Sequence, residues 1–230
     1  MVLIMELPQD RRITVFTGHY GSGKTEISLN FVLQIKNMHS ETALVDLDYV
    51  NPYFRSREAR ELLNREGIRV IASAEACFDT DLPALSPQVG GVLGHKDVRV
   101  VVDLGGDAAG ARAIGRFRRQ VADDEYELYF VINPFRPFTS NIEDIRSTIG
   151  GIEAASRLKV TALVSNPHLI RETTIGDIIS GHEKVQETAR ALGLPIACVA
   201  MESRFRDLPE IKNTGLPVLN IARLMLVPWE

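Results

Sequence analysis

The sequence predicts an α/β fold, a three-layer sandwich around a mostly parallel sheet of about seven strands. Short runs rich in valine and isoleucine alternate along the chain with segments of helical spacing. Those runs are apolar without strict alternation, as strands covered on both faces must be. The polar clusters fall at the ends of the runs, which is where open parallel sheets bind ligands.

Residues 13–16 read as the first strand. Ile27, Phe31, Ile35 and Met38 then recur at helical spacing, with Leu29 and Val32 widening the apolar stripe. The second strand starts at Thr42 and runs to Asp48. A charged helix spans 55–66 and stops at Gly67, before a third strand at 68–71. The segment 73–95, with Pro83, Pro87 and Gly90-Gly91, reads as an irregular excursion near the mouth of the site. Strands follow at 98–102, 127–132, 160–164 and 196–200. Ser140 with Glu143 forms a capping-box pattern ahead of Ile142, Ile145, Ile149 and Ile152. Ile175, Ile178 and Ile179 precede Ser180-Gly181, a pair expected to split the next crossover into two helices. The tail from Ile221 to Trp229 is expected to dock on the body.

The 230 residues, 45% of them hydrophobic, suit a single domain spanning 1–230. A net charge of −4 gives no general attraction to nucleic acid or anionic lipid. Cys77 and Cys198 are the two cysteines, too few for a disulfide framework or a thiolate metal cage; Cys198 lies in an apolar run and reads as a buried hydrophobe. No run reaches the roughly 18 apolar residues of a membrane span, and the apolar start lacks a basic flank, so a cytoplasmic protein is expected.

The chemistry concentrates in Gly18-His19-Tyr20-Gly21-Ser22-Gly23-Lys24-Thr25, a full match to GxxxxGK[ST] between a strand and a helix. The glycines let successive N–H groups curl around an anion, and the helix start adds the positive end of its dipole. Lys24 is expected on the β- and γ-phosphates of a nucleotide and the Thr25 hydroxyl on Mg²⁺. Asp103 ends the fourth strand, placed to hold a metal-bound water beneath Thr25, and Gly105-Gly106 beyond it can turn an N–H toward a γ-phosphate. Asp46 and Asp48 lie on one side of the second strand. Asp48, nearer the mouth, is expected to orient the attacking water and to lie at the Mg²⁺ partly through water; Asp46, deeper, is expected to support Mg²⁺ hydration or the loop.

Together with Val164-Ser165-Asn166-Pro167, these segments resemble the ParA/MinD branch of the SIMIBI class of P-loop NTPases, which includes the nitrogenase iron protein. The resemblance spans most of the chain. It implies a P-loop NTPase fold with the Walker A and Walker B strands adjacent, and ATP with Mg²⁺ as cofactors. It also implies water activation by Asp48 and an adenine reader at Asn166, next to Pro167. The sequence departs from the family at His19, where dimer-forming members carry a second lysine that reaches into the partner's site. That departure weakens the case for a nucleotide-driven homodimer and for fast hydrolysis, since histidine is shorter and mostly neutral at pH 7. Arg136 and Arg55 are alternative cations. Paired cluster-holding cysteines are lacking, although Cys77 offers one thiol.

Three functions fit these residues: a Mg²⁺-dependent ATPase switch acting on a protein partner, an ATP-dependent kinase or ligase, and a nucleotide-binding partner protein with little hydrolysis. In the second reading 73–95 covers the acceptor and Arg112, Arg116, Arg118 and Arg119 bind its anion. The same arginines suit a DNA backbone less well, because Asp123-Asp124-Glu125 follows them; neither nucleic acid nor membrane is an expected partner.

Overall fold

A computed structural model describes residues 11–48, 57–72, 86–122, 126–139, 141–212 and 217–225. The strands are β1 (Ile13–Thr17), β2 (Thr42–Leu47), β3 (Arg69–Ala72), β4 (Arg99–Leu104), β5 (Glu127–Ile132), β6 (Ala162–Ser165), β7 (Ile196–Glu202) and β8 (Val218–Ile221). They form one sheet in the order β3-β2-β4-β1-β5-β6-β7-β8, and every neighbouring pair is parallel. The helices are α1 (Lys24–Lys36), α2 (Arg57–Arg65), α3 (Pro87–Gly94), α4 (Ala108–Gly115), α5 (Arg118–Ala122), α6 (Ile142–Ser156), α7 (Ile175–Leu192) and α8 (Pro209–Lys212).

Strand alternation divides the core into two layers. Val15, Val45, Val102 and Phe130 face one side with α3, α4 and α6, while Phe16, Leu44, Val101 and Val131 face α1 on the other. Burying each such side chain contributes about 1.5–3 kcal/mol, which is why the strands read as continuous apolar runs. The expected adjacency holds: β1 pairs with β4, with Phe16 opposite Asp103. Winding reverses beside β1, where the chain passes from β4 across to β5, so the carboxyl ends of β4, β1 and β5 frame the crevice.

Several details differ from the sequence reading. An eighth strand, β8, joins the sheet at its far edge. Met38 lies beyond α1 and is 45% exposed. The part of 73–95 that is described contains α3, started by Pro87 and capped by Ser86 Oγ, which accepts from the Gln88 N–H; residues 73–85, with Cys77, lie outside the described residues. Ser140 also lies outside them, and α6 is capped by Asn141, whose side chain accepts from the Asp144 N–H at 2.8 Å. Helix α7 runs unbroken through Ser180-Gly181. A Cβ at Gly181 would stand 2.4 Å from Pro167 Cβ and 3.1 Å from the Phe135 ring, so this glycine serves a close crossing and does not break the helix. The four arginines are spread over two helices: Arg112 lies in α4, Arg116 caps it, and Arg118 and Arg119 begin α5, all four exposed. Cys198 is buried, and burial pushes its thiol up to about 12.

Candidate phosphate-binding site

The loop between β1 and α1 takes the form its glycines allow. Gly21 and Gly23 sit at φ 78° and 88°, in the left-handed region that other residues avoid. No side chain caps α1, so its first N–H groups and dipole face the loop's concavity. Gly23 is also a point of contact: a Cβ there would meet the Asn166 amide nitrogen at 2.4 Å.

Lys24 is buried in the cradle, with its ammonium 2.6 Å from Asp48 Oδ2. Burial works against its charge, but the fields of Asp103, Asp48 and Asp46 outweigh it, and the lysine pKa is raised. Asp46 stands opposite Asp103 across the β2–β4 pair and accepts the Asp48 N–H at 2.9 Å. Asp103 is fully buried, and burial lifts its pKa to about 6 against the pull of Lys24. The Thr25 hydroxyl lies near enough to lower that pKa, yet neither Thr25 Oγ1 nor Asp103 Oδ2 completes a hydrogen bond of ordinary geometry. Two buried oxygens without partners, next to a phosphate loop, fit a hydrated Mg²⁺, which takes one or two protein ligands and keeps its waters.

The surrounding loops lock onto the cradle. A Cβ at Gly106 would fall 2.0 Å from the Gly18 carbonyl oxygen, so only glycine lets the β4 loop touch the phosphate loop here. From β6, Asn166 donates its amide to the Ser22 carbonyl at 2.7 Å. Asn166 is buried, and Pro167 packs where α7 crosses. Asn133, fully buried at the end of β5, donates to the His168 carbonyl at 3.0 Å and accepts from the Phe135 N–H, joining the β5 and β6 turns. His168 Nδ1 accepts from the Ile170 N–H, and burial together with Arg136 and Arg223 pushes its pKa down to about 4, so its neutral ring keeps a proton on Nε2. Ile170 adopts φ 58°, a strained backbone for a β-branched residue, in the turn that carries these groups.

Of the other loop residues, Ser22 is buried and Tyr20 is 72% exposed. His19 stacks on Phe138, with ring centroids 4.4 Å apart and planes 22° from parallel. Arg55 lies outside the described residues. The sequence reading missed Asn133, His168 and a clamp on α1. Glu26, directly after Thr25, accepts the Leu224 and Met225 N–H groups; Asn30 bonds both backbone groups of Ala222, and Gln34 donates to Asn220 O. Glu26, Asn30 and Gln34, four residues apart on one face of the helix, were the available signal.

No family model and no curated protein matches the chain. Solved structures do. Cell division protein FtsY from Thermotoga maritima aligns with a TM-score of 0.52 and 17% identity, over 84% of this chain and 63% of that one. Chloroplast FtsY from Physcomitrella patens gives 0.53 and 15%, over 85% and 60%. The signal recognition particle 54 kDa protein from Aeropyrum pernix, solved with GDP, gives 0.50 and 13%, over 84% and 42%. The chain thus spans less than two thirds of the length of these structures. At such identities the likeness is one of fold alone: the chain shares the α/β P-loop NTPase fold of these structures, with one all-parallel sheet between helices. None of the three structures belongs to the ParA/MinD branch expected from the motifs.

Proposed function

We propose that this chain binds ATP with Mg²⁺ and works as a slow, nucleotide-driven switch. The observation that carries this reading is the uncapped α1 start holding a buried Lys24, Thr25 and Asp103, the last two with unsatisfied oxygens. Loop N–H groups and Lys24 bind the phosphates, and Lys24 exchanges its Asp48 partner for phosphate oxygens. Thr25 directly, and Asp103 through water, would hold the Mg²⁺, which offsets charge on the β- and γ-phosphates. Asp48, relieved of Lys24, orients the attacking water and accepts its proton. The contact of Gly106 with Gly18 couples the β4 loop to the cradle, so occupancy of the cradle alters that loop. Exposed Tyr20, Phe138 and Leu169 lie on loops around the cradle and support a protein partner as the reader of the change.

Adenine is preferred over guanine because β6 runs into Asn166-Pro167-His168-Leu169, with no acidic guanine reader. The Asn166 nitrogen holds Ser22, which leaves its carbonyl oxygen for the base. Placement in the ParA/MinD branch rests on the sequence motifs. The stacked His19 supports a second reading, a partner protein that binds nucleotide with little turnover and without a lysine-bridged homodimer. Calorimetric titration with non-hydrolysable ATP and GTP analogues, alongside phosphate release, tests the proposal. Tighter ATP binding with measurable release supports the switch; ATP binding without release, partners included, supports the second reading; tighter GTP binding overturns the role of Asn166.

A further inference from the structure

We propose that Arg136 is a second cation of the phosphate site, supplied within the chain by the turn after β5, where His19 gives the loop no lysine. The proposal rests on the nucleotide-binding reading above.

The turn holds Arg136 in place. Its N–H donates to Asn133 O at 3.1 Å, and its carbonyl accepts from the Thr139 N–H at 3.0 Å and the Thr139 hydroxyl at 3.2 Å. Asn133 is itself fully buried and tied to the β6 turn, so the backbone at 136 is fixed from both sides. From there the side chain lies against the phosphate loop at Gly21. A Cβ built on Gly21 would stand 3.5 Å from Arg136 Nε, 3.6 Å from Cδ and 3.9 Å from Cγ.

Arg136 Nε is buried and meets no acceptor. A buried donor without a partner is costly in the ligand-free protein, and an arriving anion removes that cost. No carboxylate among the described residues forms an ion pair with this guanidinium, unlike Lys24, which is paired with Asp48. Its field is felt at His168, whose Nε2 lies 3.3 Å from where a Gly23 Cβ would be. The guanidinium thus stands beside Gly21, and the ring within reach of its field stands beside Gly23. His19 does not compete for this role. Its ring stacks on Phe138, two residues beyond Arg136, and its Nδ1 lies 3.4 Å from the Tyr20 carbonyl.

A cation serving the phosphates differs from one that merely packs on the loop in how its loss scales with phosphate number. Titrations of the full chain with Mg²⁺ and ATP, ADP or AMP (or the guanine series, if that binds tighter) compare the parent with Arg136→Gln and Arg136→Lys. Arg136→Gln is expected to weaken ATP binding about 10- to 100-fold, ADP less, and AMP within about 2-fold. Arg136→Lys is expected to recover most of the ATP affinity. Equal losses for all three nucleotides, or no loss for ATP, overturn the proposal. Should the Gln variant not fold, Arg136→Met takes its place under the same criterion: a loss that grows from AMP to ATP supports the cation, and an equal loss for all three or none for ATP overturns it. A parent protein that binds no nucleotide overturns the nucleotide-binding reading itself, and this role with it.

Discussion

At the carboxyl edge of the sheet, β4 and β2 deliver Asp103, Asp46 and Asp48 toward Lys24, whereas β5 and β6 deliver Asn133, Arg136, Asn166 and His168. The phosphate loop runs between these two groups. On the acidic side the groups are ionisable and buried around one ammonium, an arrangement suited to a metal and a water. On the other side they are amides, a neutral imidazole and a guanidinium, which shape the loop by hydrogen bonds and add positive potential without proton chemistry. The contrast teaches that the candidate site keeps its ionisable groups on one flank and its hydrogen-bonded framework on the other. Changes on the two flanks should therefore fail in different ways.

The largest effect is expected from Lys24→Ala, which removes the cation that the acidic flank encloses. Triphosphate affinity should fall by at least ~10²-fold, read by calorimetry, and turnover should fall with it. If affinity survives, the flanks do not converge on phosphate at Lys24. Asp48→Ala should separate binding from chemistry. It frees Lys24 from its 2.6 Å partner, so affinity should stay within a few-fold, while phosphate release drops on the order of 10²-fold. Unchanged release would leave Asp48 as a holder of Lys24 only.

The smallest effect concerns stability. The folded-state pKa of Asp103, about 6, is raised above its ordinary value of 3.8. Its contribution to stability is therefore fully present below about pH 4 and is lost as pH rises through about 6. Asp103→Asn should melt higher than the parent at pH 7–8 without ligand, and the difference should vanish toward pH 4 in calorimetric scans. With Mg²⁺-nucleotide present the order should reverse, because the variant holds the metal water less well. A variant that melts lower than the parent at pH 8 without ligand would show that the buried carboxylate is already satisfied.

The acidic flank was legible in the sequence; of the other flank, Asn166 and Arg136 were named, and Asn133 and His168 were not. Asp103 and Asp48 stand at the ends of apolar runs, and the period of a strand puts Asp46 and Asp48 on one side. Asn133 and His168 sit in short turns after strands, with no periodicity to mark what they bond. Gly181 shows the same limit from the opposite direction. Ser180-Gly181 has the local form of a helix break, but close packing against Pro167 and Phe135 keeps α7 continuous.

By itself the sequence determined the strand–loop–helix unit around residues 18–25, the apolar strands, and the carboxylates at their ends. These follow from local physics: glycine's access to positive φ, the exposed N–H groups at a helix start, and the two backbone periods. Only the tertiary structure decided that Asn166 bonds Ser22, that Gly106 meets Gly18, that Arg136 lies against Gly21, and that Glu26 holds the segment after β8. Each of these contacts joins residues far apart in the chain. Which turns meet depends on strand order, and strand order is set by packing the helices onto both faces of the sheet, which periodicity within one segment does not report.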